Sequence, residues 1–270
     1  MKIITLIENS PGIEDCCFEH GLSFYIETNN HKLLMDTGAS DAIIRNSEIL
    51  RIDLKSVDSV FLSHGHYDHS GGILTFSEIN PTAKIYMQRT ATNIFYHGNG
   101  ERYIGINPKI AALPQTTFVD GNLKLDEELS LFSNISGRRF WAEGNLNLKR
   151  LENDTYLQDE FEHEQCLVIT DSIRKILISG CAHNGILNIL DEYHKLYGDF
   201  PHMVISGFHM MKNGEYSPEE TDIIKSTAKE LSTMNTIFYT GHCTSEKAYD
   251  IMKEIMGEQL HALHTGLRIL

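Results

Sequence analysis

Residues 63–72 read Ser-His-Gly-His-Tyr-Asp-His-Ser-Gly-Gly, the most informative stretch of the chain. Four side chains within six positions can bind a metal ion: His64, His66, Asp68 and His69. Imidazole and carboxylate groups are the usual nitrogen and oxygen ligands of zinc, and they also bind iron and manganese. No flanking run of histidines exists, which disfavours a merely His-rich surface loop. We therefore predict that this stretch binds metal.

The spacing of these side chains indicates two ions. His64 and His66 are two positions apart, and in an extended segment such side chains point the same way, toward one ion. Asp68 and His69 follow a tyrosine and are expected to point toward a second ion. Gly65 removes a side chain where the loop must bend sharply. Two ions about 3.5–4 Å apart can share a bridging hydroxide and hold both sides of a scissile bond.

The charge of the chain limits the classes of partner. It has 37 acidic and 23 basic residues, which gives a formal net charge of −14 with histidine neutral. Such a balance argues against a groove built on basic residues, so we predict no nucleic-acid partner. A small anionic substrate remains compatible, because a dinuclear metal site supplies its own positive charge.

Hydrophobicity and cysteine content indicate a cytoplasmic protein. Hydrophobic residues make up 41% of the sequence, enough for a real core. No stretch approaches about 18 apolar residues, so we expect neither a transmembrane helix nor a membrane partner. The N-terminus has no signal-peptide pattern, and five cysteines are an odd set for disulfide pairing. The sequence leaves the oligomeric state open.

Strand patterns alternate with helix patterns in both halves of the chain. Strands are predicted at 1–8, 22–28, 31–36, 57–62, 166–170, 175–179, 202–206, 236–240 and 261–270. Helices are predicted near 184–197, 218–233 and 245–256. Two such halves favour an α/β fold with two sheets packed face to face and helices outside, an αββα sandwich of four layers. The pattern is mixed over about 89–165, where we predict a loop or insertion within a single domain spanning 1–270.

The metal-binding stretch resembles the signature of the metallo-β-lactamase superfamily of metal-dependent hydrolases. The order of strands and helices is similar along nearly the whole chain. Three further stretches resemble the branch that contains the 7,8-dihydropterin-6-methyl-4-(ribofuranosyl)aminobenzene 5′-phosphate synthases. They are Gly-Cys-Ala-His-Asn-Gly at 180–185, Ser-Gly-Phe-His-Met at 206–210 and Thr-Gly-His-Cys-Thr at 240–244. The resemblance implies the same αββα fold and a metal-dependent activity.

Two later histidines complete the predicted ligand set. His183 and His242 each follow a predicted strand, and the resemblance places later metal ligands at both positions. A turn or helix-capping role is the alternative for each. We expect one ion at His64, His66 and His183, and the other at Asp68, His69 and His242. The resemblance also implies a histidine ligand just before the predicted hairpin at 166–179. His163 lies there, so it is an alternative to His183.

Two further residues are expected beside the ions. The resemblance implies that Asp36 orients the metal-binding stretch by accepting hydrogen bonds. Cys181 stands where many members of the superfamily carry an aspartate that bridges both ions. A buried, inert thiol and a metal-bound thiolate are both compatible with this position. We place Cys181 next to the ions rather than among their ligands.

The remaining histidines divide into one candidate and a surface group. His209 lies just past a predicted strand, and we expect it to face the substrate and stabilise charge or donate a proton. Asp68 is the other candidate catalytic residue, because its carboxylate can accept a proton from the nucleophilic water. We expect surface or loop positions for His20, His31, His97, His194 and His202.

The sequence therefore predicts a hydrolase that uses metal-activated water on a phosphate-, ester- or pterin-type small molecule. Its cofactors would be two divalent ions, with zinc favoured and manganese or iron permitted. Three alternatives remain: a pterin-related synthase that displaces phosphate in a condensation, an iron-dependent redox enzyme, and a non-catalytic metal-binding protein.

Overall fold

Two large β-sheets pack face to face at the centre of the molecule. The computed structural model describes residues 1–172, 174–212 and 214–270. The strands are β1 (Lys2–Ile7), β2 (Ser23–Glu27), β3 (Lys32–Met35), β4 (Ser59–Phe61), β5 (Lys84–Gln88), β6 (Ile94–His97), β7 (Arg102–Tyr103), β8 (Thr116–Val119), β9 (Leu123–Lys124), β10 (Leu129–Phe132), β11 (Leu148–Glu152), β12 (Thr155–Gln158), β13 (Cys166–Asp171), β14 (Arg174–Ile178), β15 (Met203–Ile205), β16 (Ile237–Thr240) and β17 (Leu260–Ala262). The α-helices are α1 (Ala42–Ile49), α2 (Tyr67–Ser70), α3 (Ile73–Ile79), α4 (Ile186–Tyr197), α5 (Pro218–Ser232) and α6 (Glu246–Met256).

Both large sheets combine antiparallel and parallel strands. The first has the order β1-β2-β3-β4-β5-β8, and its strands run parallel from β3 onward. The second has the order β17-β16-β15-β14-β13-β10-β9, with parallel pairing from β14 to β17. Parallel strands end at the same edge of a sheet, so the loops that follow them are brought together there.

An apolar layer joins the two sheets. The inward faces of the first sheet contribute large side chains such as Phe24, Met35 and Phe61, and the second sheet contributes Leu131 and Leu167. All five are buried. Each such side chain stabilises the fold by about 1.5–3 kcal/mol relative to an exposed position. This layer fixes the two sheets relative to each other, and therefore also the loops at their edges.

Helices cover the outer face of each large sheet. Ile43 of α1 and Phe76 of α3 pack against the first sheet. Tyr193 of α4, Leu231 of α5 and Met252 of α6 pack against the second. The layers are therefore helix, sheet, sheet and helix, and the predicted αββα sandwich is confirmed. None of the helices in the described residues is long and apolar enough to cross a bilayer.

The stretch 89–165, predicted as a loop or insertion, contains strands from β6 to β12. Four of them form a small antiparallel sheet of order β12-β11-β6-β7, and β8 to β10 extend the two large sheets. Phe95, Ile104, Leu148 and Phe161 form an apolar cluster under this small sheet, with Tyr67 packed against it. Only this small cluster lies under the sheet, so its strands bury few side chains and carry a weak sequence pattern.

Candidate metal centre

The predicted site residues lie just past the carboxyl ends of parallel strands. Asp36 follows β3, the stretch 63–72 follows β4, His209 follows β15 and His242 follows β16. Three of these residues have positive φ angles without being glycine: Asp36 (60°), His209 (47°) and His242 (50°). Such backbone costs of order 1–3 kcal/mol per residue and clusters at functional sites. The surrounding structure therefore holds these side chains in place at a cost in stability.

Three histidines form what we call the first ligand group: His64, His66 and His183. One ring nitrogen from each lies within 4.8 Å of the others. Within the described part of the chain, the Nε2 atoms of all three are buried and have no hydrogen-bond partner. Burial lowers the pKa of His64 and His183 well below the ordinary value and that of His66 to about 3. The rings are therefore neutral, and their lone pairs fit a metal ion.

Hydrogen bonds on the opposite ring nitrogens orient two of these rings. The Ser63 hydroxyl lies 2.8 Å from His64 Nδ1. Asn145 Oδ1 lies 3.1 Å from His183 Nδ1, and the amide of Asn145 donates to the His183 carbonyl at 2.8 Å. The Phe161 ring stacks on His183 with ring centroids 4.5 Å apart. These contacts leave Nε2 of each ring directed at the shared centre, as metal-binding histidines require.

His163, the alternative to His183, has a different set of contacts. Its Nδ1 accepts a hydrogen bond from the Gly65 backbone N–H at 2.9 Å, and its Nε2 lies 3.0 Å from Asp159 Oδ2. Both ring nitrogens are therefore engaged. A side chain at Gly65 would meet the Ala91 carbonyl oxygen at 2.7 Å, so the loop passes too close to its neighbour for any Cβ. His163 holds the loop in that position.

Asp68, His69 and His242 form the second ligand group. His69 Nε2 lies 3.2 Å from His242 Nε2, and Asp68 Oδ2 lies 3.5 Å from His242 Nε2 and 4.0 Å from His69 Nε2. Nitrogen and oxygen atoms bound tetrahedrally to one ion are about 3.3–3.6 Å apart, given bond lengths of about 2.0–2.2 Å. Burial would raise the pKa of Asp68, but hydrogen bonds with His20 and His242 lower it well below its usual range. The group therefore offers an ionised carboxylate.

Asp36 connects the two ligand groups through hydrogen bonds to Ser63 and His69. Its Oδ1 accepts from the Ser63 backbone N–H at 2.7 Å, and its Oδ2 lies 2.7 Å from both the Ser63 hydroxyl and His69 Nδ1. The side chain is fully buried. Burial by itself would lower the pKa of His69, but the ion pair with Asp36 raises it to about 9. Metal binding at His69 must therefore displace a proton.

Cys181 lies between the two ligand groups. Its Sγ is 3.2 Å from His69 Nε2. It also lies within 4.8 Å of a ring nitrogen of His64, His183 and His242. Burial raises the pKa of the Cys181 thiol well above its ordinary value. Without a cation nearby the thiol is therefore protonated.

His209 borders the first ligand group on the side of the open cleft. Its ring centroid is 4.1 Å from that of His183. Its Nδ1 is buried and has no hydrogen-bond partner among the described residues. The backbone N–H of His209 donates to Cys243 Sγ at 3.3 Å, which holds the strand-end turn. A polar atom of a bound ligand can form the missing hydrogen bond with His209 Nδ1.

A cleft of 690 Å³ opens onto both ligand groups. The small third sheet contributes His97 and Arg102 to its wall, and Tyr67, Lys212 and His209 line other parts. Ligand-binding pockets in proteins are typically about 300–1,000 Å³, so a small molecule fits here.

Several residues that contact the site were not identified from the sequence. His20, predicted at the surface, places Nε2 3.3 Å from Asp68 Oδ2. The Glu8 carboxylate accepts a hydrogen bond from the His242 backbone N–H, and Asn9 Oδ1 lies 2.8 Å from His242 Nδ1. The available signal was the position of Glu8 and Asn9, which directly follow the apolar strand β1.

A buried glutamate supports the other side of the site. Glu164 is 1% exposed. Its carboxylate accepts from the backbone N–H groups of His183 (2.7 Å) and Asn184 (3.0 Å), and from the Asn184 side-chain amide (2.8 Å). Burial raises the pKa of Glu164. The carboxylate fixes the turn from which His183 projects.

Comparison with known proteins identifies the class. The family model of the metallo-beta-lactamase superfamily matches residues 18–216, so the chain belongs to this superfamily. The resemblance noted in the sequence is thereby confirmed.

The alignments with individual relatives cover nearly the whole chain. The 7,8-dihydropterin-6-methyl-4-(beta-D-ribofuranosyl)-aminobenzene-5′-phosphate synthase of Methanocaldococcus jannaschii is 28% identical, covering 98% of this chain and 95% of the relative. A crystal structure of a metal-dependent hydrolase of the β-lactamase superfamily is 29% identical, with a TM-score of 0.83 and coverage of 100% and 98%. Zinc-bound PqqB from Methylobacterium extorquens shares the fold, with a TM-score of 0.57 at 14% identity and full coverage of both chains.

Proposed function

We propose that this chain is a hydrolase that holds two divalent metal ions and acts in the cytoplasm on a small phosphate- or ester-bearing molecule. The observation that carries the proposal is the first ligand group, in which three buried imidazole nitrogens converge without a hydrogen-bond partner among the described residues. Leaving such atoms unpaired is unfavourable unless a ligand satisfies them. The second ligand group lies directly beside them and supplies an anionic oxygen.

The donor set determines the chemistry. Nitrogen and carboxylate ligands in groups of three favour zinc, and they also accept manganese or iron. Two bound divalent ions would lower the pKa of coordinated water toward about 7 and polarise a carbonyl or phosphoryl oxygen of the substrate. No side-chain nucleophile is required.

The chain's own residues position the reactants and transfer protons. Asp68 Oδ2, ionised and next to His242, is placed to accept the proton of the attacking water. His209 lines the cleft and its buried Nδ1 has no hydrogen-bond partner among the described residues, so we assign it the donation of a hydrogen bond to the oxygen on which charge develops. Arg102 on the cleft wall favours an anionic substrate, whereas Lys212 is paired with Glu220 at 2.6 Å.

A pterin-related synthase is the second candidate. It is favoured by the 28% identity, over 98% of this chain, to a relative of that name. A small apolar recess beside His209, lined by Phe140, Phe208 and Met210, would accept an aromatic ring. In such a condensation the amine of an aminobenzene would replace water as the nucleophile, and a diphosphate would be the leaving group.

Elemental analysis of the purified protein tests the metal centre. We expect two equivalents of zinc or manganese in the wild type and loss of metal in His66→Ala. The control is His194→Ala, because His194 is exposed and remote from the cleft. A folded wild-type protein that binds no divalent metal would overturn the proposal, and mostly iron would favour the redox alternative.

Turnover separates the two candidate enzymes. For a hydrolase, we expect the zinc or manganese form to cleave a nitrophenyl phosphodiester or ester, with activity lost in His66→Ala and kept in His194→Ala. For a synthase, a dihydropterin diphosphate would release pyrophosphate only when the aminobenzene ribose phosphate is also present. Metal binding with neither activity would instead support a non-catalytic metal-binding protein.

A further inference from the structure

The apolar recess beside His209 opens off the main cleft. It lies between the segment 139–144, the start of α4 and the helix α5. Its walls are formed by buried apolar side chains: Phe208, Ile186 and Ile224. His209 and Met211 line both the recess and the cleft. A molecule bound at the two ligand groups can therefore extend into the recess.

The recess is too small to enclose a whole aromatic ring. Its volume is 60 Å³, whereas a cavity that encloses benzene measures about 150 Å³. Part of a bound ring must therefore stay at the mouth of the recess. Two large apolar side chains border the recess although solvent reaches them: Phe140 is 37% exposed and Met211 is 43% exposed. Aromatic and thioether side chains both make favourable contacts with aromatic rings.

The backbone holds Phe140 in place under strain. Its φ angle is 50°, a conformation that is rare for a bulky side chain. The preceding residue, Arg139, is fixed to two helices. The Asn188 side chain of α4 accepts a hydrogen bond from the Arg139 backbone N–H at 3.0 Å and donates one to the Arg139 carbonyl at 2.9 Å. The Arg139 guanidinium pairs with Asp191 of α4 and Glu230 of α5. Strained backbone that is held by such contacts is typical of positions that bind ligands.

We propose that Phe140, together with Met211, is a specificity-determining residue that packs against an aromatic group of the substrate. The other end of the substrate binds at the two ligand groups. This assignment rests on the proposed function, because the ligand groups must bind the phosphate or ester end. The substrate class is then a small molecule in which an aromatic ring lies close to the reacting phosphate or ester. Neither residue belongs to a ligand group, so both act on binding and not on the chemical step.

Binding of non-hydrolysable phosphonates to the zinc-loaded protein tests the proposal. Methylphosphonate offers only the anionic end, whereas benzylphosphonate and phenylpropylphosphonate add a phenyl ring on a short and a long linker. In calorimetry we expect at least one of these two to bind the wild type about tenfold more tightly than methylphosphonate, because the recess removes apolar surface from water. This advantage should fall in Phe140→Ala and in Met211→Ala. It should disappear in Ile223→Trp, because Ile223 lines the recess and the larger side chain would fill it.

Leu196→Ala is the matched control for the loss of an exposed apolar side chain. Leu196 is 42% exposed on α4 and lines neither the recess nor the cleft, so the wild-type preference for the ring should remain. Methylphosphonate should bind all four variants as it binds the wild type, since the metal centre is unchanged.

Two results would overturn the inference and leave the metal centre intact. One is equal affinity of the wild type for all the phosphonates. The other is a preference for the ring that keeps its wild-type value in Phe140→Ala or in Ile223→Trp. A zinc-loaded wild type that binds none of the phosphonates would count against the proposed function, and the inference would fall with it.

Discussion

Replacing Asp36 by asparagine tests how the second ligand group is oriented. The Asp36 carboxylate is fully buried and makes three contacts of 2.7 Å, with the Ser63 backbone N–H, the Ser63 hydroxyl and His69 Nδ1. Asparagine keeps the shape but replaces one oxygen with an NH₂ donor. If that NH₂ donates to His69 Nδ1, the ring proton must move to Nε2, the atom that faces the metal position.

The hydrogen bonds of Asp36 set the expected loss of stability and of metal affinity in Asp36→Asn. A hydrogen bond to a charged group contributes about 1.5–3 kcal/mol, and at least one is lost in Asp36→Asn. We therefore expect the free energy of unfolding of the metal-free protein to fall by about 2–3 kcal/mol. The affinity for the second metal ion should fall by about 10–100-fold, the usual effect of removing a partner that orients a histidine ligand. The first ligand group does not contact Asp36 through its metal-facing nitrogens and should keep its ion.

The measurements are urea unfolding in the presence of a chelator and calorimetric titration of the metal-free protein with Zn²⁺. Asp191→Asn is the matched control, because Asp191 pairs with Arg139 at the surface and its side chain is 56% exposed. Such exposed pairs contribute about 0–1 kcal/mol. An Asp36→Asn protein that binds its second zinc ion with wild-type affinity would refute the orienting role of Asp36.

Three further results are expected. Since the pKa of His69 is raised from 6.5 to about 9, its stabilising effect is complete below about pH 6.5 and is lost as the pH rises through 9. The difference in unfolding free energy between metal-free wild type and Asp36→Asn should therefore shrink by about 3 kcal/mol between about pH 6 and pH 10, as urea unfolding can measure. Glu164→Gln should weaken zinc binding at His183 about tenfold in calorimetry, whereas the exposed Glu162→Gln should not. Gly65→Ala should lower stability by about 1–3 kcal/mol in urea unfolding, because its Cβ would collide with a backbone carbonyl.

The sequence predicted the features whose signals are local. A short apolar strand followed by a dense run of ligands is visible within fifteen residues, and the alternation of strands and helices predicted the αββα layers. His183 and His242 were predicted as ligands because each lies in a short loop after a strand, and the structure brings both beside the stretch 63–72. Residue type and chain position are enough for such sites.

The residues that support the ligands were not predictable, because their contacts span long distances in sequence. His20 lies 48 positions before Asp68 in the chain, and Glu8 and His242 are 234 positions apart. A single glutamate or histidine in a loop has no sequence pattern of its own, and the fold buries Glu8 while His20 contacts Asp68 from the surface, with its side chain 44% exposed. The third sheet was missed for a related reason, since its strands cover only a small apolar cluster and alternate weakly between buried and exposed residues.

The proposed ligands lie far apart along the chain, and this affects when they become available during translation. His69 and His242 are separated by 173 positions. At a synthesis rate of about 5–20 residues per second, roughly 9–35 s pass between them. During that interval the emerging chain carries the histidines of the stretch 63–72 without His242, and for the first 114 positions it lacks His183 as well. The order of translation therefore brings the two proposed ligand groups together only after most of both sheets has been synthesised.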